Sequence, residues 1–236
     1  MQITNEKLRG RIKEFYGLYL NRPIAVNRGG MLSPQMFPSW YVLKVMQPEY
    51  IIESGVFQGQ GTYFFRKACP EAKIICIEPR PEQIIHRDLK AEYYKEDFKD
   101  IDWDKIIPVN ERENTLLHFD DHQNAFERIK HMKKLGFKYV MFEDNYPKDL
   151  GDCYSLKKIW MENGENADYL RENLNLYYEF PPIFKLPKTR WGIDWDEKLP
   201  TPEPLYIKDG VGYENWMALF VGEAPNYLWI CFVELK

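Results

Sequence analysis

The sequence predicts an α/β domain, a mostly parallel sheet with helices on both faces that ends in a C-terminal antiparallel hairpin. Three observations carry this. Short apolar runs alternate with helical stretches through the middle of the chain, the pattern of successive βαβ units. A glycine-rich turn, Gly55 to Gly61, follows the first of these runs and opens the next helix. Two strand-like runs, Trp216 to Val221 and Tyr227 to Leu235, close the chain and are joined by Gly222 to Asn226.

The elements follow in order. From Asn5 to Tyr19, Leu8, Ile12, Phe15 and Leu18 recur at helical spacing and predict an amphipathic helix serving as a lid or brace. Asn21 to Pro34 has loop composition, and Gln35 to Met46 predicts a short helix. Tyr50 to Ser54 and Lys73 to Glu78 read as buried strands flanking a helix over Thr62 to Ala68. A helix is expected over Glu82 to Tyr94, a weak third strand over Lys105 to Val109 and a strong fourth over Thr115 to Asp120. The last two conflict: Asn110 to Asn114 is shorter than the dozen or so residues a parallel crossover needs. Either that crossover helix is lost or the third strand lies elsewhere. His122 to Leu135 is a helix stopped by Gly136, and Lys138 to Glu143 is a strand. Cys153 to Met161 and Ala167 to Tyr178 read as helices. Between Phe180 and Leu205 the six prolines Pro181, Pro182, Pro187, Pro200, Pro202 and Pro204 surround Trp191 and Trp195, which predicts an irregular substrate-facing cover.

At 236 residues the chain suits a single domain, with 1–46 as the N-terminal helical lid and 180–205 as the cover. A net charge of −4 and the lack of a long basic run argue against a nucleic-acid substrate. The four cysteines, Cys69, Cys76, Cys153 and Cys231, form no C-x-x-C pair and read as reduced, buried thiols. No apolar run approaches the roughly 18 residues of a membrane span. A cytoplasmic location, no membrane partner and an open oligomeric state, homo-oligomer included, are the resulting expectations.

The glycine turn reads Glu53-Ser54-Gly55-Val56-Phe57-Gln58-Gly59-Gln60-Gly61-Thr62. Glycines there let backbone approach a ligand, and the helix N-terminus behind them favours negative charge. Glu78 ends the next strand, where a carboxylate accepts the ribose hydroxyls of an adenosine-containing cofactor. A dinucleotide fingerprint would read G-x-G-x-x-G; Gly55, Gly59 and Gly61 instead give G-x-x-x-G-x-G behind a strand-end acid. The stretch IIESGVFQGQGT resembles the first motif of class I S-adenosylmethionine (SAM)-dependent methyltransferases, in the form found in small-molecule O-methyltransferases. That resemblance implies a Rossmann-like, seven-stranded sheet with an antiparallel last strand, and SAM as cofactor. It places Glu53, Gly55, Phe57, Gly59, Gly61, Thr62, Glu78 and Asp120 at the cofactor.

Asp120-Asp121-His122 follows the fourth strand and Glu143-Asp144-Asn145 the next. Residues just beyond the carboxyl ends of neighbouring strands share one crevice, and such oxygen donors suit Mg2+ or Mn2+. The arrangement resembles metal-dependent O-methyltransferases of the catechol, caffeoyl-coenzyme A and macrolide-sugar types. Carried over by position, Asp121, Asp144 and Asn145 would hold the metal, with Asp120 facing the cofactor or standing in for Asp121. Where the catechol enzymes carry a lysine base this chain has Asn124, so His122 is the first candidate base and Glu143 the second, with Asp121 beside them. His118, inside the fourth strand, reads as a core histidine. Trp160, Trp191, Trp195, Trp216, Tyr177, Tyr178 and Tyr213 offer rings for a sugar or phenol. A sugar or glycan hydroxyl is the favoured acceptor and a phenol the runner-up. An NAD-binding oxidoreductase and a non-catalytic binding domain are the competing readings.

Overall fold

The computed structural model describes residues 2–195 and 199–236; positions 196–198 of the expected cover lie outside the described residues. Helices α1 (Asn5–Arg9), α2 (Ile12–Leu20) and α3 (Ser33–Met46) precede the sheet. The one helix expected over Asn5 to Tyr19 is split, because the Gly10 amide caps α1 on the Glu6 and Leu8 carbonyls before the chain turns. Next come β1 (Tyr50–Ser54), α4 (Gln60–Ala68), β2 (Lys73–Ile77), β3 (Glu92–Tyr94), β4 (Thr115–Phe119), α5 (Ala125–Leu135) and β5 (Tyr139–Phe142). The chain ends with α6 (Leu156–Glu162), α7 (Glu165–Asn173), β6 (Leu174–Glu179), α8 (Ala218–Glu223) and β7 (Cys231–Leu235).

The seven strands lie in the order β3-β2-β1-β4-β5-β7-β6. The pairs from β3 to β5 are parallel, and β7 runs antiparallel to both β5 and β6. This is the mostly parallel Rossmann-like sheet of seven strands, with its antiparallel C-terminal pair. Strand periodicity divides the core in two. Ile51, Ile74, Leu116 and Met141 face α2, α3, α4 and α8, while Ile52, Ile75, Leu117 and Val140 face α5, α6 and α7. No helix among the described residues is long and apolar enough to cross a membrane, and all four cysteines are buried free thiols.

Three segments depart from the sequence reading. The third strand is Glu92–Tyr94, inside the expected helix over Glu82 to Tyr94. Ile85 and Leu89 of that segment are exposed rather than forming an apolar helix face, and the chain runs extended to pair with Ile75–Ile77. Lys105 to Val109 is not a strand. Trp103, in a short 3-10 turn, and Ile107, in the bend between that turn and the next, plug the second core, which resolves the conflict over the missing crossover. The expected helix over Ala167 to Tyr178 ends at Asn173, beyond which Leu174 to Glu179 forms β6, favoured by the strand preference of Tyr177 and Tyr178. β6 is the hairpin-like partner of β7, whereas Trp216 to Val221 forms a turn and α8 that bury Met217 and Phe220.

The N-terminal helices are part of the core. Phe15 has its ring within 5.9 Å of those of Tyr19, Phe37, Trp40, Phe64 and Phe220. Truncating such a side chain leaves a cavity between five rings. Phe15→Ala is expected to cost about 3–5 kcal/mol in denaturant unfolding, and Leu20→Ala, on the exposed face of the same helix, less than about 0.5 kcal/mol. Equal, small effects would show that α2 is a detachable lid.

Candidate active site

Close backbone approach builds the glycine turn. Gly55 has φ +92, and a Cβ there would lie 1.9 Å from the Asp120 carbonyl oxygen, so the ends of β1 and β4 meet only through glycine. Gly61, in the first turn of α4, leaves room for the Glu53 carboxyl, which a Cβ would approach to 2.2 Å. Gly59 precedes α4 and packs on the His86 carbonyl. Glu53 is fully buried. Its Oε2 accepts from the Thr62 hydroxyl, while its Oε1 has no hydrogen-bond partner. Burial pushes this carboxyl up to about 8. Thr62 is fully buried as well, and its hydroxyl holds Glu53 from the first turn of α4.

Glu78 is gripped by backbone. The Phe57 amide donates to its Oε2 at 2.8 Å and the Arg80 amide to its Oε1 at 3.0 Å. Phe57 turns its amide inward through a left-handed φ of +50. Glu78, Phe57, Gly55 and Asp120 line a cleft of about 460 Å³. Asp121 lines it too, but its oxygens are engaged. Oδ2 accepts from Ser54 Oγ at 2.8 Å and from Arg128 at 2.7 Å, and Oδ1 accepts from the Gln123 amide.

A second cavity of about 290 Å³ lies alongside, lined by Asp120, His122, Glu143, Asp144 and Tyr146 among others, so Asp120 belongs to both. One donor atom each from Asp120, His122 and Asp144 lies within 4.8 Å of the others. His122 has φ +53; its Nδ1 is 3.0 Å from Asp152 Oδ1 and 3.1 Å from Asp144 Oδ2. The second contact is out of line for a hydrogen bond, leaving the buried Asp144 Oδ2 without one. Burial, then Asp144 and Glu53, push Asp120 well up. Burial, then Asp144 and Asp120, do the same to Glu143, against an opposing pull from Arg190. For His122 burial acts downward, but Asp144 and Asp152 outweigh it and raise the imidazole.

The structure therefore brings Asp120, His122, Glu143 and Asp144 together and places Asp121 and Asn145 in the scaffold. Asp121 is drawn away by Arg128. Asn145 is fully buried, donating to the Tyr177 hydroxyl and the Trp229 carbonyl and accepting from the Lys157 amide. His118 is a core histidine, fully buried 2.9 Å from Ser39 Oγ and depressed to about 3 by burial. Of the expected rings, Trp191 reaches the site by packing edge-on against Tyr146. Trp160 packs on Tyr177, Trp195 on Trp229, Trp216 on Tyr16, Tyr178 on Phe180 and Tyr213 on Phe184. Sequence reading missed Asn27, Arg28, Gln35 and Arg190, which also line the second cavity. The Asn-Arg-Gly-Gly run and the proline-rich cover were legible as loops, but nothing in their composition said where they fold back.

No protein-family profile matches the chain, and no curated protein sequence matches it. Among solved structures, the chain is similar to CmcI with Mg and SAM at 17% identity, over 65% of this chain and 68% of that one, with a TM-score of 0.44. It is similar to the tRNA methyltransferase TrmI from Aquifex aeolicus at 10% identity, over 100% and 77%, with a TM-score of 0.49. A third is the methyltransferase PaMTH1 from Podospora anserina bound to S-adenosylhomocysteine, at 13% identity over 73% and 88%, with a TM-score of 0.43.

The buried Glu53 carboxyl predicts a pH dependence. Folded, it holds its proton to about pH 8 against an ordinary 4.5, so its contribution to stability is complete below the lower value and lost as pH rises through the upper. Glu53→Gln stays neutral throughout. Its stability relative to wild type should grow between pH 5 and 8, by roughly 1–4 kcal/mol in denaturant titrations. Parallel pH profiles would contradict the buried, unpaired carboxyl.

Proposed function

We propose that the chain is a SAM-dependent O-methyltransferase acting on a hydroxyl of a small polar acceptor, a sugar or glycan, with a divalent cation, Mg2+ or Mn2+, as helper. The observation that carries this is Asp120 standing between two cavities, a cleft with a backbone-held carboxylate on one side and a polar chamber of acids and imidazole on the other. Glu78, with both oxygens already oriented by amides, keeps acceptor capacity for two ribose hydroxyls. Glu53 offers an unpartnered Oε1 to the methionine end, where an ammonium group would satisfy it. Charge favours SAM over a dinucleotide: Glu53, Glu78, Asp120, Glu143 and Asp144 together attract a sulfonium and an ammonium and repel a pyrophosphate.

The acid cluster fits a hard cation. Asp120 and Asp144 present carboxylate oxygens, one of them buried and unpartnered, and Mg2+ typically takes one or two carboxylates. A bound cation would lower the hydroxyl's pKa and orient its oxygen. His122, half exposed and hydrogen-bonded through Nδ1 to Asp152, takes the hydroxyl proton. Glu143, pushed well up by burial and by Asp144, holds its own proton and so comes second as the acceptor. Asp121 holds Arg128 and Ser54, and Asn145 holds β6 to the loop before α6, so both act by positioning. The second cavity is rich in polar side chains, which suits a sugar better than a phenol.

Two variants test the assignment. Glu78→Ala should weaken S-adenosylhomocysteine binding by calorimetry roughly tenfold or more, the scale of lost charge-assisted hydrogen bonds. Asp144→Asn should leave that binding within about threefold but reduce methyl transfer by about 10²-fold or more. Unimpaired binding in the first variant, or full turnover by the second in chelator, would contradict the roles given.

A further inference from the structure

Two arginines at the acceptor cavity take no part in the chemistry above. Arg28, in the loop between α2 and α3, and Arg190, in the cover, both line the second cavity and are both exposed. Neither has an ion-pair partner among the described residues. Arg190 is held by a small built turn. Lys188 bridges Asp194 in antiparallel fashion, the Thr189 amide donates to the Ile193 carbonyl at 2.9 Å, and the Arg190 amide donates to the Pro225 carbonyl at 2.9 Å. Its guanidinium lies 4.7 Å over the Trp191 ring, which in turn packs against Tyr146. Stacking of this kind fixes the plane of the guanidinium while leaving its N–H fork available.

Deeper in the same cavity the polarity reverses. Asn27 and Gln35 are 5% and 2% exposed, and each amide is pinned by its nitrogen, Asn27 to the Met31 carbonyl and Gln35 to the Asn226 carbonyl. Asn27 Oδ1 and Gln35 Oε1 are left buried without a partner. Buried acceptors of this sort cost stability unless a donor reaches them. The cavity thus presents hydrogen-bond acceptors and acids inside and planar cations at its mouth.

We infer that the acceptor is an acidic hydroxylated molecule of the sugar acid or sugar phosphate class, its hydroxyls donating to Asn27 and Gln35 and its oxyanion held by Arg28 and Arg190. This rests on the methyltransferase reading and names the substrate of that site. A hydroxyl oxygen forms the new bond to the methyl carbon as the sulfur–carbon bond breaks; the electron pair stays on sulfur, giving a neutral thioether, and the hydroxyl proton passes to His122. Guanidinium forks match carboxylate and phosphate oxygens in pairs, so discrimination against a neutral acceptor follows from charge and geometry together.

The test compares D-glucose, D-glucuronate and D-glucose 6-phosphate as ligands of the full chain by titration calorimetry, with and without S-adenosylhomocysteine. At least one anionic sugar should bind roughly tenfold or more tighter than glucose. Arg190→Gln should remove that margin, Arg190→Lys should keep part of it, and neither should change S-adenosylhomocysteine affinity. Which anionic sugar prevails distinguishes carboxylate from phosphate. Equal binding of all three, no binding of either anion, or a margin that survives in an Arg28→Gln, Arg190→Gln double variant would overturn the inference. Failure of S-adenosylhomocysteine to bind is read separately and overturns the parent reading.

Discussion

Four carboxyls, those of the buried Glu53, Glu143 and Asp144 and the partly buried Asp120, are gathered where β1, β4 and β5 end side by side. Burial and mutual repulsion raise all those for which a shift is resolved, Glu53, Asp120 and Glu143, so each holds a proton more tightly than it would in solution. Such a constellation is costly in a protein interior. It becomes favourable once positive charge arrives, and a sulfonium, an ammonium or a divalent cation supplies it. On the function proposed above, selectivity for a cationic cofactor over an anionic dinucleotide has the same origin as the cost of burying these acids.

The surrounding fold serves that concentration of charge. Gly55 lets β1 and β4 touch, which brings Asp120 to the glycine turn. Arg128, itself paired with Asp97, and Ser54 both donate to Asp121, which occupies that carboxylate and keeps it out of the Asp120–His122–Asp144 cluster. Asn145, through Tyr177, Trp229 and Lys157, ties the end of β5 to β6, to the segment leading into β7 and to α6, which fixes where Asp144 points. The loop before α3, the first turn of α3 and the cover after β6 add the amides and arginines that line the second cavity.

Much of this was legible in the sequence because strong local signals agree with the tertiary outcome. Buried strands Tyr50–Ser54 and Thr115–Phe119, the Gly136 stop of α5 and the glycine turn each have a local cause. The acids at the strand ends could be located as a group, but their individual roles could not. Whether Asp120 or Asp121 faces the cavity depends on Arg128, seven positions further along α5, and no pattern in the sequence joins them. β3 and β6 depart from the sequence reading for different reasons: β3 is three residues long and defined by its pairing with β2, while β6 continues directly from α7 at Leu174, so no turn signal separates helix from strand. The Trp and Tyr residues read as sugar-binding rings proved mostly to be packing material, which is what a 16% aromatic chain requires of its two cores.

The most direct test is calorimetric titration of the wild-type chain with S-adenosylhomocysteine and, separately, with NAD+, each with and without Mg2+. The account predicts micromolar or tighter binding of S-adenosylhomocysteine and none of NAD+. Binding of NAD+ with no heat from S-adenosylhomocysteine would contradict it, because the cluster of buried acids would then be accommodating a pyrophosphate.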